Sequence, residues 1–391
     1  MNDIIMVTGG AGYIGSHVVK LLLEKKQKVF IFDNLSAGHN QVLEFFKKTY
    51  GADADSFIFI NADTLDEEGL RKAIDSVRKN HWISGIIDFA AKIAVGESQQ
   101  KPLDYFTTNV VGFRNLLMAT DHIPLVKSST AAAYGSPLEE DIPLKESVIP
   151  KMIAAKRYDR SQLLPASVPF ETLIEWYTKE VVEKYPFFYL DKADLEFLHI
   201  PVNVYGVTKV ICEIMLKKHE KEAGRKHMAL RYFNAAGADP SGLIGEDHIP
   251  ETHLVPLVLK AAMGKVKCIT VFGDDYDTPD GTCIRDYISV MDLADVHIIA
   301  LNYIIKGGGS RTYNLGTNNG QTVMQIIEAA KKVTGRNIPV EMSGRREGDP
   351  TALVADASLI KKELGWKAKR GIDEIVSSAW KWYSSHPDGY K

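Results

Sequence analysis

Short apolar segments alternate with segments of helical periodicity along the first third of the chain. Apolar runs that predict buried strands occupy residues 4–7, 29–32, 57–60, 85–91 and 125–127, and helical patterns occupy residues 17–25, 67–79 and 109–119. Strands and helices that alternate at this spacing form a parallel sheet through right-handed crossover connections. We therefore predict an α/β fold with a doubly wound parallel sheet, in which ligands bind outside the carboxyl ends of the strands.

The composition is that of a sizeable globular protein. Its 391 residues, 45% hydrophobic and 25% charged, are enough for two lobes, each with its own core. The formal net charge of −3 provides no basic surface, so we expect no nucleic-acid and no membrane partner. Three scattered cysteines predict neither a disulfide framework nor a metal site. Because there is neither a basic leader nor an apolar stretch of membrane-spanning length, we expect a cytoplasmic location.

A glycine-rich turn follows the first predicted strand. Gly9, Gly12 and Gly15 stand where a Cβ atom would collide with a bound pyrophosphate, and the helix that follows directs its N-terminal N–H groups at that anion. Asp33 ends the second strand, where its carboxylate can accept hydrogen bonds from a ribose. A 2′-phosphate would be repelled by Asp33, so the predicted cofactor is NAD rather than NADP. The alternative is that Asp33 merely caps a turn.

Tyr205 and Lys209 are one helical turn apart at the start of an amphipathic segment. A phenol with a pKa near 10 is a poor base at neutral pH, but a nearby ammonium and a positive nicotinamide ring favour the phenolate. Lowering its pKa by about 3 units requires roughly 4 kcal/mol, which two such cations can supply. Thr130 lies in a hydroxyl cluster at the end of the strand at 125–127, on the same predicted sheet edge. Ordinary turn formation remains the alternative for Thr130.

Several longer motifs, in a fixed order, carry a family resemblance. They lie at residues 8–15, 95–98, 231–234, 237–242, 281–287, 290–295, 313–316 and 345–349. With Tyr205 and Lys209, they resemble the extended short-chain dehydrogenase/reductase family, and within it the isomerases that epimerise nucleotide sugars. The resemblance covers nearly the whole chain. It implies NAD-dependent 4-epimerisation of a UDP-hexose (UDP-galactose/UDP-glucose) through a 4-keto intermediate, with Tyr205 as the base, Thr130 bonded to the same sugar oxygen, and Lys209 on the nicotinamide ribose.

The resemblance also implies two sets of binding residues. For the cofactor they are Gly9, Gly12, Tyr13, Ile14, Gly15, Asp33, Asn34, Asp63, Thr64, Phe89, Ala90, Ala91, Lys92, Asn109, Tyr205, Lys209 and Phe233. For the UDP-sugar they are Thr130, Tyr205, Asn234, His253, Leu254, Thr270, Val271, Phe272, Arg285, Arg346, Asp349 and Leu353. Two positions depart from the family pattern: Lys92 is displaced by one residue, and His253 replaces a common Asn.

The same resemblance divides the chain into lobes. A Rossmann-type NAD-binding domain is expected at residues 1–235, with residues of about 286–306 returning to it, and a smaller C-terminal α/β substrate-binding lobe at 236–391. Residues of about 148–200 form an insertion of unusual length, and it could be a lid, an oligomer contact or a surface excursion without a role. Relatives suggest a homodimer.

Other functions remain open from the sequence. Leu353 occupies the position that limits room for a 2-N-acetyl group, and its intermediate size leaves UDP-GlcNAc/UDP-GalNAc epimerisation possible. A UDP-glucuronate decarboxylase and a non-catalytic NAD-sensing protein are further alternatives. Dehydration is disfavoured, because Ala131 and Ala132 stand where related dehydratases carry an acidic pair.

Overall fold

A seven-stranded parallel sheet forms the centre of the molecule in a computed structural model, which describes residues 2–51, 56–156, 168–346 and 349–391. Its strands are β1 (Asn2–Thr8), β2 (Lys28–Asp33), β3 (Phe57–Asn61), β4 (His81–Asp88), β5 (Leu125–Thr130), β6 (His227–Tyr232) and β11 (Arg311–Leu315). They lie in the order β11-β6-β5-β4-β1-β2-β3, and every neighbouring pair is parallel. The predicted doubly wound sheet is confirmed.

Alternate residues of the sheet point into two separate cores. In β1, Ile5 and Val7 belong to one core, and Ile4 and Met6 belong to the other. All four are at most 4% exposed, because helices cover both faces of the sheet. The continuous apolar runs of the sequence therefore reflect burial on two sides.

The helices surround this sheet and build the second lobe. They are α1 (Tyr13–Glu24), α2 (Asn40–Tyr50), α3 (Glu67–Arg78), α4 (Val95–Gln100), α5 (Pro102–Phe106), α6 (Gly112–Ala119), α7 (Val148–Ala154), α8 (Phe170–Tyr177), α9 (Lys192–Leu198), α10 (Val204–Ala223), α11 (Leu254–Ala262), α12 (Val290–Ile305), α13 (Val323–Thr334), α14 (Ser358–Leu364) and α15 (Ile372–Ser385). The first helix starts four residues earlier than predicted, directly at the glycine turn. Of the described helices, none is both long and apolar enough to cross a bilayer.

Three small strand groups shape the C-terminal lobe. They are β7 (Asn234–Ala236) with β10 (Tyr287–Ser289), β8 (Ile269–Phe272) with β13 (Val340–Ser343), and β9 (Ile284–Arg285) between β12 (Gln321–Thr322) and β14 (Ala352–Leu353). The chain returns to the first domain through α12, which packs on α1 and β4. It returns again through β11, an edge strand of the main sheet that the sequence had assigned to the other lobe.

The described part of the insertion packs on helices of the first domain. Beyond α7, α8 and α9 it contains a π-helical turn at Thr178–Val182 and a 3₁₀ turn at Pro186–Phe188. Leu173, Tyr177 and Phe188 are completely buried in the core that contains α10, and the ring of Trp176 meets that of Phe106 at 5.7 Å. Residues 157–167 of the insertion, and residues 347–348 of the last sequence motif, lie outside the described residues.

Candidate active site

The glycine turn brings β1 close to both α1 and β4. Gly9 has φ +67°, and a Cβ there would lie 2.9 Å from the nitrogen of Ala90. At Gly15 a Cβ would lie 2.1 Å from the carbonyl oxygen of Gly9, so any side chain at this position would push the turn off the helix. Gly12 is the N-cap of α1, whose first turn has no acidic residue. The tight turn at a helix N-terminus fits a dinucleotide pyrophosphate.

The carboxyl ends of β4, β1, β2 and β3 lie side by side along one edge of the sheet, as predicted. The N–H of Ala11 donates to Asp33 Oδ2 at 2.9 Å, and Asn34 Nδ2 donates to Asp63 Oδ2 at 2.8 Å. Asp33 is 7% exposed, and burial raises the pKa of its carboxyl although it also accepts from the N–H of Leu35. Asp33 therefore stabilises the turn in the protein itself, which is the role that the sequence left as an alternative.

Asn109 and the main chain of Lys92 form two reciprocal hydrogen bonds beside the next part of the sheet edge. Asn109 accepts from the N–H of Lys92 at 2.8 Å and donates to its carbonyl at 3.1 Å and to Thr208 at 3.1 Å. The Lys92 ammonium lies 3.9 Å from the carboxylate of Asp104. The main chain of Lys92 is thus fixed at the site by Asn109, whereas its side-chain charge is paired with Asp104.

The remaining residues expected to hold the dinucleotide lie along the same edge. Phe89 donates its N–H to the carbonyl of Thr8, and its ring lies 4.7 Å from that of His297. The hydroxyl of Tyr13 donates to the carbonyl of Gly237 at 2.7 Å, which joins α1 to the start of the second lobe. Ile14 and Phe233 are half-buried, and Ala91 follows Ala90 just after the end of β4. The carbonyl of Thr64 accepts a hydrogen bond from the side chain of Asn115.

Tyr205 and Thr130 meet where α10 faces the end of β5. Asn203 caps the helix by accepting from the N–H of Gly206 at 2.7 Å, and the N–H of Tyr205 donates to Ser98 Oγ at 3.2 Å. Burial holds the pKa of the Tyr205 phenol well above its usual range, although the nearby hydroxyl of Thr130 acts to lower it. The expected depression of this pKa is therefore not a property of the protein alone.

Lys209 lies one turn further along α10, beneath the same site. Its Nζ donates to the carbonyl of Ser128 at 3.0 Å and is 5.7 Å from the centre of the Tyr205 ring. Burial and the positive charge of Lys127 lower the pKa of Lys209 to about 7. The predicted group of Tyr205, Lys209 and Thr130 is thus assembled, with Lys209 much less basic than an ordinary lysine.

Two buried ion pairs beside this group were missed from the sequence. Lys127 Nζ lies 2.5 Å from Asp88 Oδ2, and Arg231 Nη2 lies 2.6 Å from Glu213 Oε2. Ser129 Oγ also donates to Glu213, at 2.6 Å. The partners come from β4, β5, β6 and α10, so the two pairs hold these elements in register around the site. A charged residue within an apolar strand, as at Lys127, was the available signal.

The second lobe presents one arginine from a short strand and one from the loop after β13. Arg285 of β9 donates to the carbonyl of Pro350 at 3.0 Å and lies 3.3 Å from Asp349 Oδ1. Arg346 is exposed, and its guanidinium stacks 3.9 Å from the centre of the Phe272 ring. Leu353 pairs with Arg285 across the strands and packs against the core that contains Tyr205.

One expected contact is wrong as a side-chain contact. Val271 is 1% exposed and points into the lobe's core, whereas its neighbours in β8 point the other way: Thr270 is exposed and Phe272 is half-buried. The alternation of a strand allows only every second side chain to face a ligand. The expected set at residues 270–272 therefore reduces to Thr270, Phe272 and main-chain atoms.

Asn234, His253 and Leu254 lie at the ends of elements that face the first domain. Asn234 is half-buried in β7, His253 is the N-cap of α11, and Leu254 is the first residue of that helix. His253 Nδ1 lies 2.9 Å from Glu246 and 3.0 Å from Glu251, and these carboxylates raise the pKa of His253 to about 10. His253 therefore lies between two carboxylates at the start of α11, at a position where the family commonly has an Asn.

Comparison with known proteins gives consistent results. A family model described as GDP-mannose 4,6 dehydratase matches residues 6–159 and 194–379, so residues 160–193 of the insertion lie outside it. The UDP-glucose 4-epimerase of Halalkalibacterium halodurans is 39% identical over 390 residues, covering 99% of this chain and 97% of that protein.

Solved structures are similar along the whole fold. The UDP-glucose 4-epimerase of Brucella ovis in complex with NAD is 35% identical, with a TM-score of 0.76 and coverage of 97% of this chain and 98% of that one. The UDP-Glc/GlcNAc 4-epimerase of Campylobacter jejuni is 31% identical, with a TM-score of 0.72 and coverage of 98% and 100%.

Proposed function

Because this chain belongs to the UDP-glucose 4-epimerase family, we propose that it is an isomerase that interconverts UDP-galactose and UDP-glucose with bound NAD. The observation that carries the proposal is the grouping of Tyr205, Thr130 and Lys209 at the sheet edge that contains the glycine turn. A phenol, a hydroxyl and an ammonium in that order can move a proton to and from one sugar oxygen. The named relatives act on UDP-glucose, and one solved neighbour holds NAD.

The residues at the sheet edge fit NAD. The glycine turn and the N-terminus of α1 would hold the pyrophosphate, Asp33 would hold the adenosine ribose, and Lys209 would hold the nicotinamide ribose. When bound, NAD supplies the hydride acceptor and donor for C4 of the sugar, and its positive ring favours the phenolate of Tyr205.

Tyr205 acts as the general base and then as the general acid. It takes the proton from the sugar 4-hydroxyl as C4 is oxidised to a ketone, and it returns that proton after the sugar has presented its opposite face. Thr130 donates a hydrogen bond to the same oxygen and keeps it within reach of Tyr205. Inversion at C4 requires that the hexose turns while the diphosphate stays in place, so Tyr205 must serve both orientations of the ring.

The second lobe holds the nucleotide end of the substrate. Arg285 and Arg346 can each bind phosphate oxygens through two parallel N–H groups, and His253 lies at the start of α11 on the expected diphosphate path. Phe272, already stacked under Arg346, offers a flat surface for uracil. We therefore assign NAD binding to residues 1–235 with about 286–306, and UDP-sugar binding to the lobe at 236–391. We extend the proposal to a homodimer in the cytoplasm on the family resemblance alone.

A second substrate pair is favoured by one observation. Leu353 is half-buried beside Arg285, and it is smaller than a tyrosine at the position that limits a 2-N-acetyl group. The Campylobacter jejuni neighbour is a UDP-Glc/GlcNAc 4-epimerase. UDP-GlcNAc and UDP-GalNAc are therefore the second candidates.

A coupled assay with UDP-galactose and UDP-GalNAc tests the proposal. We expect turnover of UDP-galactose, and a loss of about 10²–10⁴-fold in kcat for Tyr205→Phe. Tyr189→Phe is the matched control, because Tyr189 is 49% exposed on the insertion. Full activity in Tyr205→Phe, or no conversion of either sugar by the NAD-loaded protein, would contradict the proposal.

A further inference from the structure

The loop that precedes α11 gathers four side chains with metal-ligating atoms. Glu246, His248, Glu251 and His253 follow one another as Glu-x-His-x-x-Glu-x-His, and one ligand atom from each lies within 4.8 Å of all the others. The prediction of no metal site rested on the three scattered cysteines. The local spacing of two histidines and two glutamates was the signal that this prediction overlooked.

The distances between these atoms approach those of a tetrahedral site. His253 Nδ1 lies 2.9 Å from Glu246 Oε1 and 3.0 Å from Glu251 Oε1, and His248 Nδ1 lies 3.2 Å from Glu246 Oε1. Ligands about 2.0–2.1 Å from a tetrahedral zinc ion are about 3.3 Å apart. The other pairs of ligand atoms lie at most 4.8 Å apart, so the side chains would have to move closer together to surround one ion.

The hydrogen bonding of the cluster is incomplete. The side chain of Glu251 is 2% exposed, and its buried Oε2 has no hydrogen-bond partner. His248 Nδ1 is also buried and unpartnered in hydrogen-bond geometry. Buried polar atoms are rarely left in this state. In the described part of the chain, the ion pairs of Glu246 and Glu251 involve only these histidines, so no lysine or arginine balances the two carboxylates.

We propose that Glu246, His248, Glu251 and His253 bind one divalent transition-metal ion, with Zn²⁺ the best match. Two imidazoles and two carboxylates suit zinc, whereas calcium and magnesium prefer sites made entirely of oxygen. The main chain at Glu246 is fixed by Trp382 and Tyr383, which donate to its carbonyl at 3.2 and 2.9 Å.

The position of the cluster gives the ion a structural role. The ring of His248 meets that of Tyr13 edge-on at 6.0 Å, so the loop abuts the glycine turn of the first domain. His253 begins α11 on the other side. A bound ion would fix this loop between the two lobes.

Metal content of the full-length protein tests the inference. We expect one zinc per chain by plasma mass spectrometry after dialysis against excess Zn²⁺ and then against metal-free buffer. Substitution of cobalt should give the intense visible absorption of a four-coordinate site. His248→Asn and Glu251→Gln should each weaken zinc binding by about tenfold or more. His122→Asn should bind as the wild type does, because His122 is exposed and outside the cluster.

Several results would overturn the inference. These are less than stoichiometric zinc in the wild type, zinc retained equally by every variant, or a cobalt spectrum typical of six-coordinate solvent-exposed sites. Circular dichroism shows whether each variant is folded. If a variant does not fold, the cobalt spectrum of the wild-type protein alone decides whether the site is four-coordinate. Zinc content is measured without substrate, so its outcome is separate from that of the epimerase assay.

Discussion

Lys127 and Asp88 form an ion pair of 2.5 Å directly beneath the candidate active site, with both side chains at most 2% exposed. Asp88 also accepts from the hydroxyl of Thr8 and from the N–H of Ala90, so its carboxylate ties β1 and β4 to β5. The charge of Lys127 is one cause of the low pKa of Lys209. This pair therefore links the stability of the sheet to the electrostatics of the site.

Breaking this ion pair from one side is expected to destabilise the protein. Asp88→Asn and Lys127→Met should each lower the free energy of unfolding by about 3–5 kcal/mol, because each leaves one buried charge without its partner. The double variant should lose less than the sum of the two. Denaturant unfolding of the four proteins gives the coupling energy, and strict additivity would contradict the pairing.

The stability of the protein is expected to depend on pH through Lys209. Its pKa is about 7 when folded and about 10.5 when unfolded, so between these values the unfolded chain binds the extra proton. Stability from this residue therefore rises as pH increases from 7 to 10.5, and its burial is most unfavourable below pH 7.

Lys209→Met removes this dependence. In protein freed of dinucleotide, the variant should exceed the wild type in stability at pH 7 by at most about 5 kcal/mol, and the difference should shrink towards pH 10. Unfolding measured at several pH values checks this. Lys217→Met, exposed on the same helix, is the control and should show a constant difference. A constant difference for Lys209→Met as well would refute the low pKa.

Thr130 is expected to act on the rate rather than on substrate binding. Thr130→Val keeps the shape but loses the hydroxyl beside Tyr205, and kcat should fall by about 10–100-fold, the value of one or two hydrogen bonds in a transition state. Thr130→Ser keeps the hydroxyl and should retain most of the activity. If Thr130→Val raised KM and left kcat unchanged, Thr130 would only position the substrate.

The insertion is expected to contribute to the stability of the first domain. Phe188 is completely buried against α10, and its ring lies 6.4 Å from that of His219 on that helix. Phe188→Ala should lower the free energy of unfolding by about 3–5 kcal/mol. The neighbouring Tyr189→Ala should change it by about 1 kcal/mol or less, because that side chain is 49% exposed. Equal effects would show that the insertion is only loosely attached.

The sheet could be predicted from the sequence because its strands are buried on both sides and read as continuous apolar runs. The convergence of Gly9, Asp33, Asp63 and Ala90 followed from parallel topology alone. The ion pair of Lys127 and Asp88 could not be predicted, since nothing local in the sequence indicates which buried charges will face each other across two strands.

Other features were missed for related reasons. The pKa of Tyr205 depends on burial by several elements distant in sequence, and burial outweighs the charge that the motif suggested. The return of β11 to the main sheet was missed because a five-residue strand carries no information about which sheet it joins. Val271 was misplaced because a motif gives residues in order but not the direction in which each side chain points.

Strand β11 has a consequence for any shortened form of this protein. A fragment that stopped at residue 235 would keep the glycine turn and Tyr205, but it would leave the backbone groups of β6 unpaired along an open edge, where other chains can add. The fragment would also lack α12, the helix that packs against α1. The N-terminal part is therefore not an autonomous unit, and we expect both lobes to unfold in a single cooperative transition.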